Sequence, residues 1–256
     1  MDEKEIRGTR RFWNSVAADW RIQVGDEGDP NRRLNSDPVL WTFAGEVEGR
    51  TVLDAGCGVG YLSHQLHQKG ARVVGVDFSE EMIAIAREHY LGIDFRVDSC
   101  SELRTVPNGY CDLIVSNYVL MDTPDLEDTV AAFHRVLRPK GTAVLVFSHP
   151  CFPGAAGTVH GALPHISYRW DHSYFERTRR VDPPWHHFKE EFIWFHRPLS
   201  DYWKAFRGTG FTVVDFEEPR VTEDRYHLAP TPRKLESCKY RPYSVAFKLE
   251  KASASS

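Results

Sequence analysis

Along the middle of this 256-residue chain, short apolar runs alternate with stretches whose apolar residues recur at helical spacing. That alternation predicts a parallel sheet joined by crossover helices. The runs predict strands at Thr51–Ala55, Arg72–Val76, Asp94–Val97, Asp112–Ser116 and Thr142–Phe147, then at Phe211–Phe216 and Tyr243–Leu249. Between them, Leu62 and Leu66 mark a helix that Gly70 can close. Ser79 can cap a second, with Glu80 and Glu81 in its first turn and Met82, Ile83 and Ala86 facing inward. A third opens at Asp125, presents Val130, Phe133 and Leu137, and is stopped by Pro139 and Gly141. A later helix has Ser200 as its expected cap, Tyr202, Trp203 and Phe206 as its stripe, and Gly208 and Gly210 as its stop.

The flanks read differently. Phe12, Val16 and Trp20, with Trp13 and Ala17 beside them, predict a short amphipathic helix, and the polar "VGDEGDPNRRLNSDP" after it reads as a mobile loop. Residues 150–197 hold ten of the 32 aromatic residues without a helical pattern. There, alternation at Ile166, Tyr168 and Trp170, and at Phe192, Trp194 and His196, predicts two short strands in a hairpin-like insertion. The expected organisation is a single domain over 1–256. It divides into an N-terminal cap at 1–47, a Rossmann-like core at 48–150 and 198–249, and a substrate lid inserted at 151–197.

Composition narrows the class. No apolar run approaches the ~20 residues needed to span a bilayer, and the charged start "MDEKEIRGTRRFWNS" lacks the apolar centre of a secretory signal. A soluble, cytoplasmic protein without membrane association is expected. Five scattered cysteines without a C-x-x-C pair argue for reduced thiols and against a zinc site. A net charge of −4 provides no electrostatic reason for a nucleic-acid partner.

The chemistry concentrates in "VLDAGCGVGYL", residues 52–62, where three glycines stand at alternate positions between a strand and a helix. Such a turn gathers backbone N–H groups at the carboxyl edge of the sheet, and Gly56, Gly58 and Gly60 remove the Cβ atoms that would hold a ligand away. Asp54, just ahead of them, would repel a pyrophosphate but can hold a cationic amino group, directly or through water. Asp77, at the end of the next strand, can accept hydrogen bonds from both ribose hydroxyls. A nucleoside joined to an ammonium-bearing group fits both, and S-adenosyl-L-methionine has that composition.

The segments "VLDAGCGVGYLSHQL", "VVGVDFSEEMIAIAR", "FRVDSCSEL", "YCDLIVSNYVLMDTPD" and "VLRPKGTAVLVFSHP" resemble, in order and spacing, the signature segments of class I S-adenosylmethionine-dependent methyltransferases. The nearest branch is the small-molecule one that includes quinone-biosynthesis (type 11) enzymes. The resemblance covers about residues 48–150 and resumes weakly at 198–249. It implies an α/β fold: a Rossmann-like seven-stranded, mostly parallel sheet with the last strand antiparallel and helices on both faces. A helical N-terminal cap and an aromatic lid after strand 5 complete it. It further implies that Gly56, Gly58 and Gly60 line the methionine and ribose, Asp77 holds the ribose, Asp98 accepts from the adenine amino group, and Asn117 and Tyr118 flank the methionine part. Phe78, Ser99 and Trp20 complete the expected cofactor set, with Asp54 beneath. S-adenosyl-L-homocysteine would be the product, and no metal is expected.

Methyl transfer is an in-line displacement in which positioning and exclusion of water dominate. Aromatic rings suit a sulfonium, so Trp13 and Trp20 together with the insertion are expected to form a lid. Tyr168, Trp170, Trp185, His186 and Trp194 are the candidate substrate contacts. His149, directly after the fifth strand, is the candidate general base, although an acceptor that is already a free amine or an anion needs none. His160, His165, His172, His186, His187 and His196 follow no metal-ligand spacing. "DPPW" at 182–185 looks like a motif of adenine-base methyltransferases but stands outside the fourth-strand position, which holds "SNYV", and reads as a proline-rich turn. The expected reaction is transfer to an O or N nucleophile of a small aromatic or heteroaromatic metabolite. Two other readings stay open: a non-catalytic S-adenosylmethionine-binding protein, and an NAD-dependent oxidoreductase, which the G-x-G-x-G spacing and Asp54 disfavour. A small-molecule partner is expected, and a homodimer stays open.

Overall fold

A computed structural model of the chain describes residues 3–152, 156–160, 163–167 and 172–253. The chain opens with α1 (Glu3–Val24), a π-helical turn (Arg32–Ser36) and α2 (Asp37–Ala44). The core then runs β1 (Thr51–Ala55), α3 (Tyr61–Gln68), β2 (Arg72–Asp77), α4 (Glu80–His89), β3 (Asp94–Val97), β4 (Cys111–Asn117), α5 (Leu126–Val136) and β5 (Leu137–Ser148). Four short strands follow: β6 (Ala156–His160), β7 (Leu163–Ser167), β8 (Thr178–Asp182) and β9 (Phe192–His196). The chain closes with α6 (Leu199–Gly208), β10 (Phe211–Glu217), α7 (Pro232–Tyr240) and β11 (Ser244–Lys251).

Seven strands form one sheet in the order β10-β11-β5-β4-β1-β2-β3. β1 to β5 pair in parallel, whereas β11 runs antiparallel to both β5 and β10. The period of two along the strands sorts side chains to the two faces. Leu53, Ala55, Ile114, Leu145, Phe147 and Phe247 pack with Val130 and Phe133 of α5 and Tyr202 and Phe206 of α6. Val52, Leu113, Val115, Val144, Val146 and Ala246 pack on the other face with Phe12 and Val16 of α1, Leu40 and Phe43 of α2, and Leu62 and Leu66 of α3. Both faces are covered, so the central strands read as nearly unbroken apolar runs.

The caps follow their chemistry. Ser79 Oγ accepts from the Met82 N–H, 3.1 Å, satisfying one of the open donors of the first turn of α4. The same hydroxyl donates to Asn14 Oδ1, 2.6 Å, while Asn14 Nδ2 donates to Glu80 Oε2, 3.0 Å. Those bonds fasten α1 across the start of α4.

Several local expectations change: Leu137 opens β5 rather than extending α5, and Trp203 is exposed rather than part of the buried stripe of α6. The N-terminal helix is 22 residues long rather than short. The stretch read as a mobile loop contains the π-helical turn, where Leu34, Asn35 and Ser36 are buried. Its polar residues bond inside the protein, which composition does not reveal. The α6 helix starts at Leu199 with Pro198 in the cap position rather than Ser200, because the fixed φ of proline suits a helix entrance. In the insertion, the two predicted strands do not pair with each other: β7 pairs with β6 and β9 with β8, each antiparallel.

Candidate active site

Reversal of strand order between β1 and β4 opens a crevice at their carboxyl ends, the place where open α/β sheets bind ligands. A cavity of about 820 Å³, its open mouth included, occupies it. The turn after β1 contributes Gly56, Cys57 and Gly58, and the end of β2 contributes Asp77 and Phe78. The turn after β3 adds Ser99, Cys100 and Ser101, the stretch after β4 adds Asn117 to Val119 and Asp122 to Asp125, and α1 with the π-helical turn adds Trp13, Trp20 and Arg32.

The three glycines do different jobs. A Cβ on Gly56 would come within 2.3 Å of Val119, and one on Gly60 within 2.9 Å of Phe95 and 3.0 Å of Ala86, so both serve packing. At Gly58 (φ +52°) the nearest atom to a Cβ would be Trp20 Nε1 at 3.8 Å, within the cavity. Gly58 is therefore the position where the missing side chain leaves room for a ligand. Gly60 lies off the cavity wall and caps α3.

Asp77 is held from behind: its Oδ2 accepts from the Gly58 N–H, 3.0 Å, and its Oδ1 from the Ser79 N–H, 2.9 Å. Burial pushes this carboxyl up to about 6, and the backbone donors only partly oppose it. A carboxylate has about four acceptor directions, so those not used by the backbone remain for hydroxyl donors in the cavity.

Asp54 and Asp98 are satisfied elsewhere. Asp54 is buried beneath the turn, off the cavity wall, and its Oδ2 accepts from Ser63 Oγ, 2.6 Å. Burial raises it to about 7, against the Ser63 bond and with help from the nearby Asp77 charge. Asp98 uses Oδ2 for the Thr105 N–H and Oγ1, 2.7 and 2.6 Å, and Oδ1 for the Ser99 N–H, 2.8 Å. It shapes the loop that brings Ser99 to Ser101 to the cavity without lining it itself.

Asn117 shows the opposite state. Its Nδ2 donates to Ser36 Oγ, 3.2 Å, and Asp37 Oδ1, 3.4 Å, which leaves Oδ1 buried without a hydrogen-bond partner among the described residues. An unpaired buried acceptor costs on the order of 1–3 kcal/mol and marks where a donor is wanted. Tyr118, with φ +58°, is tied at its hydroxyl to Ser244 Oγ, 2.5 Å, and receives a bond from Asn31 Nδ2, 2.9 Å.

Sequence reasoning passed over Arg32. It ion-pairs with Asp29 and lies over the rings of Trp20, 5.3 Å, and Tyr118, 5.8 Å. Burial opposes its charge, but Asp29 and then Asp37 outweigh that and hold the guanidinium above its ordinary value. Asp37 in turn accepts from Tyr61 Oη, 2.7 Å. The signal was present as "DPNRRLNSDP", a charged and amide-rich run whose residues have to find partners if they are buried.

Over the mouth, Trp20 packs edge-on to Trp13 (5.2 Å) and Trp185 (6.4 Å) and lies near Phe188 (5.8 Å). Trp185, His186 and Trp194 do not line the cavity; Trp185 packs against Trp20, which does. Trp194 lies beside His196, 6.1 Å between rings. Tyr168 and Trp170 fall outside the described residues. The "DPPW" segment leads from β8 into a turn, remote in the chain from the end of β4.

His149 is buried and off the cavity wall. Its Nδ1 accepts from the Cys151 N–H, 3.2 Å, so the proton sits on Nε2, which donates to Glu218 Oε1, 2.8 Å. Burial lowers its pKa, partly countered by Glu218. Both ring nitrogens are occupied, as in a histidine that fastens a turn. Among the described residues no group of three or more His, Cys, Asp or Glu gathers as a metal site, the five cysteines are free, and no helix is long and apolar enough to cross a membrane.

Residues 52–141 match the family model for the methyltransferase domain. A ubiquinone biosynthesis O-methyltransferase of Bordetella avium is 33% identical over 135 residues, 50% of this chain and 56% of the relative. One from Pseudomonas paraeruginosa is 36% identical over 103 residues, 39% of this chain and 44% of the relative. The chain thus spans about half the length of the curated relatives it matches. Among solved structures, an S-adenosylmethionine-dependent methyltransferase from Mesorhizobium loti superposes with a TM-score of 0.72 at 22% identity, covering 89% of this chain and 100% of that one. Over residues 52–141 the chain is thus similar to methyltransferase domains, and its fold is the one seen in solved S-adenosylmethionine-dependent methyltransferase structures. Both of these relatives are named for ubiquinone biosynthesis.

Proposed function

We propose that this protein transfers a methyl group from S-adenosyl-L-methionine to an O or N nucleophile of a small, aromatic acceptor. The observation that carries this reading is one cavity in which Gly58 leaves space, Asp77 presents a braced carboxyl, and Asn117 Oδ1 waits for a donor. Bound there, the cofactor supplies an electrophilic methyl on a sulfonium. In this reading Asp77 takes the ribose hydroxyls, Phe78 and Ser99 to Ser101 border the adenine, Asn117 receives an ammonium hydrogen, and Arg32 meets the carboxylate. Trp13 and Trp20 cover the reacting end and keep water out, and residues 151–197 act as the acceptor lid. Relatives named as O-methyltransferases support an oxygen acceptor. A nitrogen acceptor stays in the proposal because a 1,6-didemethyltoxoflavin-N1-methyltransferase of Burkholderia thailandensis shares the fold, TM-score 0.59.

Isothermal titration with S-adenosylhomocysteine and with NADH tests this. The expected result is binding of the first and not the second. NADH binding without S-adenosylhomocysteine binding would overturn the proposal. Release of labelled methyl to phenols and amines then separates an enzyme from a sensor that only binds the cofactor.

A further inference from the structure

The wall formed by the loop between β4 and α5 carries none of the groups assigned to the cofactor beyond Asn117 and Tyr118, yet it presents two acids, Asp122 and Asp125. Asp125 stands at the start of α5 but makes no capping bond with its side chain, and its Oδ2 is buried without a hydrogen-bond partner among the described residues. Asp122, three residues earlier in the same loop, is likewise raised by burial. Among the described residues no hydrogen-bond donor meets its carboxyl, whereas Asp29, Asp37, Asp54, Asp77 and Asp98 all have partners. The cation nearest to it in effect is Arg197, whose guanidinium is buried and spent on the carbonyls of Leu120 (3.3 Å), Thr123 (2.6 Å) and Pro124 (2.8 Å). Arg197 thereby holds the Asp122 loop in place without pairing with the acid.

Resting on the function proposed above, we infer that Asp122 is the acceptor-side base: it holds the X–H hydrogen of the nucleophilic oxygen or nitrogen and receives that proton during transfer. The ionised carboxyl accepts the hydrogen while the acceptor lone pair forms the bond to the methyl carbon. The carbon–sulfur bond breaks with its electron pair kept by sulfur, and the proton ends on the Asp122 oxygen. The charges balance, since one cationic sulfonium and one carboxylate become a thioether and a carboxylic acid. Burial raises the Asp122 pKa well above the carboxylate range, with Arg197 opposing, and a carboxylate of raised pKa is the stronger base. Arg197, Tyr202 and Asp125 are the other charged or titratable groups around it. His149, with both nitrogens engaged, leaves this role open.

The test uses the full chain loaded with S-adenosylhomocysteine and follows the Asp122 carboxyl by carbon-13 NMR through a pH titration. It then compares the wild type with Asp122→Asn for methyl transfer from labelled S-adenosylmethionine to catechol, a hydroxyl probe, and tryptamine, an amine probe. Expected are a carboxyl midpoint above the ordinary carboxylate range and an S-adenosylhomocysteine affinity of D122N within about threefold of wild type. Turnover of whichever probe the wild type uses should fall roughly 10²-fold or more, with the acidic limb of the pH profile lost. A carboxyl that titrates normally, or a D122N variant that turns over like the wild type, overturns the inference. So does a folded D122N that loses S-adenosylhomocysteine, since Asp122 would then belong to the cofactor. Failure of the wild type itself to bind S-adenosylhomocysteine sinks the underlying function instead.

Discussion

The turns after β1 and β5 both leave the carboxyl edge of the same sheet, and both place polar groups where a ligand could be met. After β1, Gly58 opens space and its N–H braces an Asp77 carboxyl that keeps acceptor capacity toward the cavity. After β5, His149 has both nitrogens bonded and sits buried away from it. Position at the edge is therefore necessary but insufficient. A group can act on a ligand only where the fold leaves part of its hydrogen-bonding capacity unspent.

Removing the open valence should cost most. Asp77→Ala deletes two hydrogen bonds to a charged acceptor, and S-adenosylhomocysteine affinity should fall about 10²-fold by calorimetry. An unchanged dissociation constant would show that the braced carboxyl is only structural. Filling the open space comes next: Gly58→Ala puts a side chain at positive φ and into the cavity, and affinity should fall roughly tenfold with about 1 kcal/mol lost from stability.

Asp54 sharpens the comparison through pH. Its folded pKa, about 7, and that of Asp77, about 6, stand above their unfolded values. Their protonation therefore stabilises the ligand-free protein at low pH, and this contribution is lost as pH rises through about 6 to 7. Thermal unfolding should show a higher Tm at pH 5 than at pH 8 from these two groups. Asp54→Asn should raise Tm at pH 8 by a few degrees and leave S-adenosylhomocysteine affinity unchanged. A drop in Tm would mean that the ionised acid is better served by Ser63 than its burial implies. The smallest effect belongs to the saturated turn: His149→Gln should leave turnover within about twofold at every pH, because the ring has no free nitrogen to offer. A lost pH limb there would restore His149 as the base.

The fold was readable because it rests on periodicity. Parity along β1, β4 and β5 sends alternate side chains to two helical layers, and Ser79 advertises the start of α4 by its own chemistry. The candidate site was readable in part. The glycine turn, Asp77 and Asn117 occupy strand ends whose place in a parallel sheet follows from order in the chain. Arg32 was missed because its partners Asp29, Trp20 and Tyr118 come from three segments, and the run around it looks like solvent-facing loop. Asp98 and Trp185 were located near the right edge, but their immediate bonds and packing come from neighbours that spacing cannot specify.

By itself, the order of residues determined the succession of strands and helices, the glycine turn and the kind of ligand edge they make, since local period and turn chemistry act over a few residues; the antiparallel last strand of the seven-stranded sheet came from the family resemblance. Only the tertiary structure decided which carboxylates are spent and which remain open, that His149 is closed off, and that Asp122 faces the cavity without a donor among the described residues. Those outcomes depend on burial and on bonds between segments far apart in the chain, where desolvation raises the cost of every unpaired polar group.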